Sequence, residues 1–265
     1  MSIFPHPVTL RQAMETRAVR SILPTDLSSR MLSQLPVQVR QRAIISAGVQ
    51  NTDFLTRVGE AVDRMVGGES NRATERTALR ELAESLDLKN LQSDSRLNLI
   101  LDTQAKMSNG YGSFIEGQHP SVLFQWPAQE FYRAEDRKEP RDWPTRWADA
   151  GGEFYPGDGD YPEGRMIALK SDPIWYDISA FGQPYAPFDF NSGMDLRDVD
   201  RDEAVDLGLI SEDDTEEPED RGLNDGLQAS LGMAQQFGLG VVLGEFLGKI
   251  ARVGADGVVR FLEGE

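Results

Sequence analysis

The chain has 265 residues, no cysteine and two histidines, His6 and His119, and its formal charge at pH 7 is −17. The missing cysteines exclude disulfide scaffolds, thiolate metal sites and cysteine nucleophiles. Two histidines leave little room for a multi-histidine metal centre or a Ser-His-Asp triad. The acidic balance argues against nucleic acid as the main ligand, because phosphate binding needs a basic surface. We expect no direct sequence-specific contact with nucleic acid.

The first predicted domain, residues 1–92, is a helical N-terminal region that forms a bundle. Thr9 and Gln12 have the spacing of a capping box. Asn51 precedes a second helix, which Gly67-Gly68 is expected to end. Apolar residues recur there at helical spacing, and a further helix repeats the pattern. The two stripes are Phe54, Leu55, Val58, Ala61, Val62, Met65 and Val66, and then Ala78, Leu79, Leu82, Ala83 and Leu86.

The second predicted domain, residues 93–210, begins with a long helix. Ser93 or Asp94 is expected to cap it and Gly117 to end it. Asn109-Gly110 lies inside it, and because both residues disfavour helix, a kink or an early end is the alternative. The start of the chain, residues 1–30, has no apolar run of the length that a signal peptide needs, which predicts a cytoplasmic protein.

Aromatic residues and prolines are concentrated in residues 111–190, with all 4 Trp, all 6 Tyr, 7 of the 12 Phe and 9 of the 14 Pro. Prolines at this density disfavour regular helix, so we predict short strands at 122–126, 165–170 and 175–179, joined by turns such as 156–160. The rings are expected to pack into a core, because each buries a large apolar area. An exposed groove for a glycan or peptide is the alternative.

Most of the negative charge falls in residues 195–220, where 13 acidic and 2 basic residues give −11 of the total −17. A stretch this charged cannot bury enough apolar surface to order itself. We predict a solvated strap, with an interaction strip for a basic partner as the alternative. Within it, Asp200 is expected to cap a short helix containing Ala204, Val205 and Leu207. Residues 211–222 are predicted to be an acidic linker.

Residues 223–265 are predicted to form a C-terminal glycine-rich helix and a tail. Residues 226–244 carry no charge, and Gly240, Gly244 and Gly248 share one helix face, a spacing that lets a second helix approach closely. We therefore expect packing against another subunit or against the chain's own domain. No membrane span is expected, because glutamines and glycines interrupt the apolar run. Asp256-Gly257 predicts a hairpin turn near the end. The predicted fold class is α+β.

Catalytic motifs are absent from the sequence, which has no GxxxxGK[ST] phosphate loop, no GxGxxG after a strand, no HExxH and no GxSxG. We expect no enzyme activity, no cofactor and no metal site. His119-Pro120 is typical of a turn. Acidic residues and arginines alternate in residues 130–149, a pattern that favours surface salt bridges over an acid/base pair. The acidic residues are Glu130, Glu135, Asp136, Glu139, Asp142 and Asp149, and the arginines are Arg133, Arg137, Arg141 and Arg146.

Residues 94–210 resemble the Mu-F-like minor head, or head-morphogenesis, proteins of tailed bacteriophages. The resemblance rests on short segments in chain order, none of them specific alone, and covers a little under half of the chain. These six family-like segments are DTQAKMSNG (102–110), PAQEFYR (127–133), DRKEPR (136–141), AGGEFY (150–155), PYAPFDF (184–190) and a closing helix in 197–210. A helical region ahead of this block fits the same family.

The chain departs from the family pattern at the family's metal ligands. Members commonly carry a histidine after the arginine-rich segment and a Cys-Arg-Cys near the end of the domain, a set typical of metal binding. Here Trp143 and Trp147 follow the arginines, and Phe188-Asp189-Phe190 lies roughly in the cysteine region. The resemblance thus implies that aromatic packing closes the loops that a metal closes in other members, and no metal function is carried over.

The resemblance implies a structural role: a minor head protein of a tailed phage or prophage that acts near the portal during head morphogenesis. It would bind the portal protein or the major capsid protein in the host cytoplasm and would remain in the virion head. It would also self-associate through the C-terminal helix. The candidate interaction residues are Gly240, Gly244, Gly248, Trp143, Trp147, Arg137 and Arg141. Two alternatives stay open: a carboxylate-based hydrolase or toxin-like enzyme, and a glycan- or peptide-binding module using Trp126, Trp143, Trp147 and Trp175.

Overall fold

The computed structural model describes residues 21–32, 43–218, 251–253 and 259–261. The chain divides into two compact units, one of residues 110–221 with 1–9 and the other of residues 10–109 with 222–265. We call them the central unit and the bundle unit. The described elements combine helices with antiparallel strands, which confirms the α+β prediction.

The bundle unit is mainly helical. Strands β1 (Ser21–Ile22) and β2 (Ala43–Ile44) pair in parallel, and helix α1 (Ser29–Leu32) lies between them in sequence. Helices α2 (Thr52–Val66) and α3 (Arg72–Ser85) follow, then a 3₁₀ turn (Lys89–Leu91). Helix α4 (Asp94–Gly117) is continuous through Asn109-Gly110, where the division into units falls.

Side-chain caps begin these helices, largely as the sequence predicts. Asn51 accepts a hydrogen bond from the Phe54 amide at 2.8 Å, and Gly67 follows the last residue of α2. Ser93, rather than Asp94, caps α4 by accepting from the Arg96 amide at 3.3 Å. The apolar stripes of α2, α3 and α4 form one core, with Leu55, Val58, Val62, Leu79, Leu97 and Leu101 fully buried. The predicted capping box at Thr9 lies outside the described residues.

A buried carboxylate joins α2 to α3. The Glu75 side chain accepts from Nε and Nη2 of Arg64 at 2.9 and 2.7 Å, and Arg57 lies 3.3 Å away. These contacts satisfy a charged group that is costly to bury alone. The hydrogen bonds from Arg64 lower the pKa of Glu75 below its ordinary value.

The central unit is built on a four-stranded antiparallel sheet in the order β4-β5-β3-β6. After the end of α4 come α5 (Pro120–Gln125), β3 (Ala128–Arg133) and α6 (Trp143–Asp149). Strands β4 (Phe154–Tyr155) and β5 (Arg165–Leu169) precede α7 (Ile174–Asp177). Strand β6 (Met194–Val199) and helix α8 (Arg201–Asp206) complete the unit, and the Asp200 side chain caps α8 as predicted. The solvated strap predicted for residues 195–220 is wrong over 195–206, because β6 pairs with β3 and the side chains of Val199 and Ala204 are buried.

One of the three strand predictions for this region is correct and two are wrong. The strand predicted at 165–170 is β5. The strand predicted at 122–126 is helix α5, because Pro120 occupies its first turn and the His119 side chain accepts from the Ser121 amide. The strand predicted at 175–179 overlaps helix α7, whose first amide, that of Ile174, is bonded by the Asp172 side chain.

The two faces of the sheet have different cores. One face packs Phe131 against a ring cluster of Trp143, Trp147, Trp175 and Phe188, with all four rings fully buried. The other face packs Ala128, Ile167 and Val199 against Ala204 of α8. Most of the aromatic residues named here form a core, which is what their burial energy predicts.

Near the end of the chain, β7 (Ala251–Val253) pairs antiparallel with β8 (Val259–Phe261), which fits the predicted hairpin. The connecting Asp256-Gly257 lies outside the described residues. So do Gly240, Gly244 and Gly248 and the rest of the predicted C-terminal helix. Among the described helices, none is both long and apolar enough to cross a membrane.

Candidate functional site

Three arginines converge on one turn of the central unit. Arg141 donates from Nη2 to the Phe190 carbonyl at 2.7 Å, and Arg137 donates from Nε to the Asn191 carbonyl at 3.1 Å. Asp189 lies 3.3 Å from Nε of Arg141 and 3.4 Å from Nη1 of Arg146. We call Arg137, Arg141 and Arg146 the arginine clamp.

The clamp changes the interpretation of two predicted interaction residues. Arg137 also pairs with Glu135, and Arg141 is bonded to three successive residues of the same turn. Charge-assisted bonds of this kind fix loop geometry. The structure thus uses Arg137 and Arg141 to hold the protein's own backbone, although both side chains keep part of their surface in solvent.

Trp143 and Trp147, also predicted as interaction residues, are both 0% exposed, so neither ring is accessible to a partner in this structure. The Trp147 indole donates to the Glu153 carbonyl at 2.8 Å, and the Trp175 indole donates to the Leu169 carbonyl at 2.7 Å. These three rings lie in the core, so they cannot form the exposed row that the glycan-binding alternative requires. Trp126 is the one member of that set with an exposed ring.

Residues 188–190 are held by rings and ion pairs. The Phe188 ring lies 4.9 Å from that of Phe131, centroid to centroid, and the Phe190 ring lies 4.8 Å from that of Phe181. Between them, Asp189 is held by the clamp. Ring packing on both sides of Asp189 and its ion pairs to the clamp therefore hold this loop. In the described part of the chain, no group of three or more His, Asp or Glu side chains is placed to hold a metal ion.

A second polar cluster lies on the opposite face of the sheet, and we call it the Glu130 network. Glu130 on β3 is 2% exposed. It accepts from Nε and Nη2 of Arg165 on β5 at 2.9 and 2.6 Å, and from Nε and Nη2 of Arg197 on β6 at 3.0 and 2.8 Å. Arg165 also binds Glu203 of α8. The hydrogen bonds to Glu130, and then to Glu203, raise the pKa of Arg165 above its ordinary value.

The network corrects the interpretation of residues 130–149. Glu130 is a buried structural carboxylate and not a surface salt bridge, because its oxygens are bonded to two guanidinium groups. Asp142 caps α6 by accepting from the Thr145 amide at 3.2 Å, next to the ring core on the other face of the sheet. The structure therefore does not pair Glu130 with Asp142 as the acid and base of one cleft.

Sequence reasoning named Trp126 as a candidate exposed ring but missed Phe124, the second exposed aromatic side chain of this region. Phe124 and Trp126 are 53% and 37% exposed, the largest exposed apolar side chains among the described residues. Arg201 of α8 lies with its guanidinium carbon 4.3 Å from the Phe124 ring centroid and donates from Nε to the Phe124 carbonyl at 2.8 Å. If residues 120–125 had been assigned to a helix, the sequence would have predicted an exposed Phe124 next to a buried Leu123.

Comparison of the chain with protein-family models, with curated proteins and with solved structures finds no match.

Proposed function

We propose that this chain is a structural minor head protein of a tailed phage or prophage. It acts near the portal during head morphogenesis through protein–protein contacts and without bond chemistry. Its partners are the portal protein, the major capsid protein or both. It is made in the host cytoplasm and is retained in the virion head.

The observation that carries the proposal is that the family-like segments are contact partners in one fold. Gly110, in the first segment, lies against the Ala186 carbonyl in the fifth. Phe131, in the second, packs on Phe188 in the fifth.

The remaining segments join the same set of contacts. Arg141, in the third, binds Asp189, and Phe154, in the fourth, packs on the ring core. Arg197, in the sixth, binds Glu130 in the second. Residues of all six segments therefore contact one another, as a single domain of that family would require.

The charged groups also favour a structural role. The arginine clamp and the Glu130 network hold loops and strands of the central unit together, which accounts for the alternating charges without a reacting group. Such arrangements rigidify a fold that presents surfaces to other proteins.

The position of the protein in the particle tests the proposal. The gene should lie beside portal, protease or major capsid genes, and the chain should be found by mass spectrometry in purified particles or procapsids. A nonsense mutation early in the gene should yield defective heads, and supply of the wild-type chain should restore infectivity. A chain that is absent from both particles and procapsids would overturn the proposal.

A matched pair of variants tests whether head assembly requires an intact central unit. Asp189→Asn weakens the clamp, whereas Asp158→Asn makes the same change at an exposed residue of the 156–164 loop. Complementation should fail or weaken with the first and succeed with the second. Equal complementation, with Asp189→Asn shown to be destabilised, would contradict a role for this domain in head assembly.

A further inference from the structure

The exposed pair Phe124 and Trp126 is held on rigid backbone. Trp126 follows α5, and its amide donates to the Val122 carbonyl at 2.7 Å. The next residue, Pro127, accepts from the Lys170 amide at 2.8 Å, and β3 begins directly after it. Large aromatic side chains on a fixed backbone lose little conformational entropy on binding, which is why they serve as anchors at protein interfaces.

An acidic strip lies beside this pair. Arg201 donates to the carbonyls of Ser211, Glu212 and Asp214 at 3.3, 3.0 and 2.7 Å, in addition to its bond to Phe124. One guanidinium therefore holds the start of the acidic segment against the end of α5. The predicted linker is anchored here, and the Glu216 carboxylate also accepts from the Ser171 hydroxyl.

The carboxylates of this strip form no ion pair with a lysine or arginine of the described residues. Every hydrogen bond that Arg201 makes ends on a backbone carbonyl, so its charge is not paired with a side chain of the strip. Within the part of the chain that the structure describes, none of the five carboxylates of 212–217 forms an ion pair with a lysine or arginine. These five are Glu212, Asp213, Asp214, Glu216 and Glu217.

We infer that Phe124, Trp126 and the acidic strip of residues 211–217 form one docking surface for a basic amphipathic segment of a partner protein. The apolar side chains of that segment cover Phe124, and its lysines or arginines meet the carboxylates and the face of Trp126. Charge complementarity selects this occupant, because an acidic strip repels phosphates and acidic proteins, and an indole face attracts cations. The inference does not rest on the proposed function.

The probe is a synthetic helical peptide of leucine and lysine, with leucine on one face and lysine on the other. Its controls are the same peptide with glutamate for lysine and with glutamine for lysine. Binding to the full chain is measured by calorimetry at low and high salt, and by protection of the Trp126 ring from the uncharged quencher acrylamide. The lysine peptide should bind and protect Trp126, and the glutamate peptide should do neither.

Two variants test the two halves of the surface. Phe124→Ser with Trp126→Ser should weaken binding of the lysine peptide about tenfold or more. Glu212→Gln with Asp213→Asn should weaken it about fivefold at low salt, and the difference should fade at high salt. The matched control, Asp158→Asn with Glu163→Gln, removes the same charge from the exposed 156–164 loop and should change affinity less than about twofold.

Three results would overturn the inference. Equal weakening of binding by the control pair and by Glu212→Gln with Asp213→Asn would mean that the peptide senses only the net charge. If the Phe124 and Trp126 substitutions leave peptide binding unchanged, in a variant whose thermal unfolding matches the wild type, the two aromatic side chains do not belong to the docking surface. A peptide-free chain that dimerises, and that Phe124→Ser makes monomeric, would assign the surface to a second copy instead.

Discussion

Glu130 on β3 lies directly opposite Arg197 in the register of β3 and β6, and its carboxylate accepts two hydrogen bonds from that guanidinium at 3.0 and 2.8 Å. The same carboxylate binds Arg165 on the strand at its other side. One buried side chain thus connects three of the four strands of the sheet, and Arg165 extends the connection to α8 through Glu203.

Glu130→Gln should lower the free energy of unfolding of the central unit by about 2–4 kcal/mol, since it leaves two guanidinium groups without their shared anion. All four tryptophans belong to this unit, so tryptophan fluorescence during urea unfolding reports it. Glu135→Gln is the control: that side chain is 45% exposed, and its pair with Arg137 should be worth less than about 1 kcal/mol. Equal losses for the two variants would contradict the role of the Glu130 network.

Glu75→Gln should destabilise the bundle unit in a pH-dependent way. Arg64 lowers the pKa of Glu75, so the ion pair contributes fully above the ordinary glutamate pKa and is lost as the pH falls through the lowered value. At neutral pH the substitution should cost about 2–3 kcal/mol, and the difference from wild type should shrink in acid.

Amide exchange in α2 and α3, followed by mass spectrometry, measures this effect without relying on tryptophan. Glu60→Gln is the control, because that side chain is 57% exposed and lies 3.7 Å from Arg57. It should leave the exchange rates and their pH dependence nearly unchanged. A pH-independent loss in Glu75→Gln would show that packing, and not the ion pair, accounts for the effect.

Gly110→Ala should destabilise the central unit even though alanine favours helix. A methyl group at Gly110 would overlap the backbone carbonyl of Ala186, which packs directly on α4. We expect a loss of about 1–3 kcal/mol from overpacking. Gly117→Ala, in the same helix, meets only the Lys170 ammonium at 3.7 Å and should be neutral or stabilise by up to about 1 kcal/mol. Fluorescence-detected unfolding should show a loss of stability for Gly110→Ala and no loss for Gly117→Ala if the close approach is real.

Acrylamide, an uncharged quencher that the acidic surface does not repel, should quench one tryptophan of the four. Trp126 is exposed, whereas Trp143, Trp147 and Trp175 are fully buried, and a solute of that size cannot reach a ring inside a closely packed core. Trp126→Phe should therefore abolish most of the quenchable emission in the folded protein. Trp143→Phe should lower the total emission and leave the quenchable part in place. Strong quenching that survives Trp126→Phe would contradict the buried ring core.

The helices of the bundle unit were predictable because their signals are local. Asn51 caps α2, Gly67 ends it and an apolar stripe runs between them, all within a few turns of chain. The α+β class followed from similar signals. Helix α5 was not predictable in this way. A short apolar run such as 122–126 fits a strand or a buried helix equally well until the residue that caps it is known.

The candidate sites depended on residues far apart in sequence. The sequence marked Arg137 and Arg141 as notable, but their partners lie 49 to 54 residues later. Glu130 looked like a surface charge because neither arginine that buries it is near in the chain, with separations of 35 and 67 residues. A charge is buried only when its partners arrive from other strands, and no local pattern records that.

By itself, the sequence determined the class of the fold, the exclusion of cysteine chemistry and the position of the negative charge, since these depend on composition and on short-range periodicity. Only the tertiary structure decided which rings are buried, which arginines hold the chain's own turns, and that Arg201 anchors the acidic strip beside Phe124. The reason is that burial and charge neutralisation are set by contacts between distant residues, which form together when the strands and helices pack.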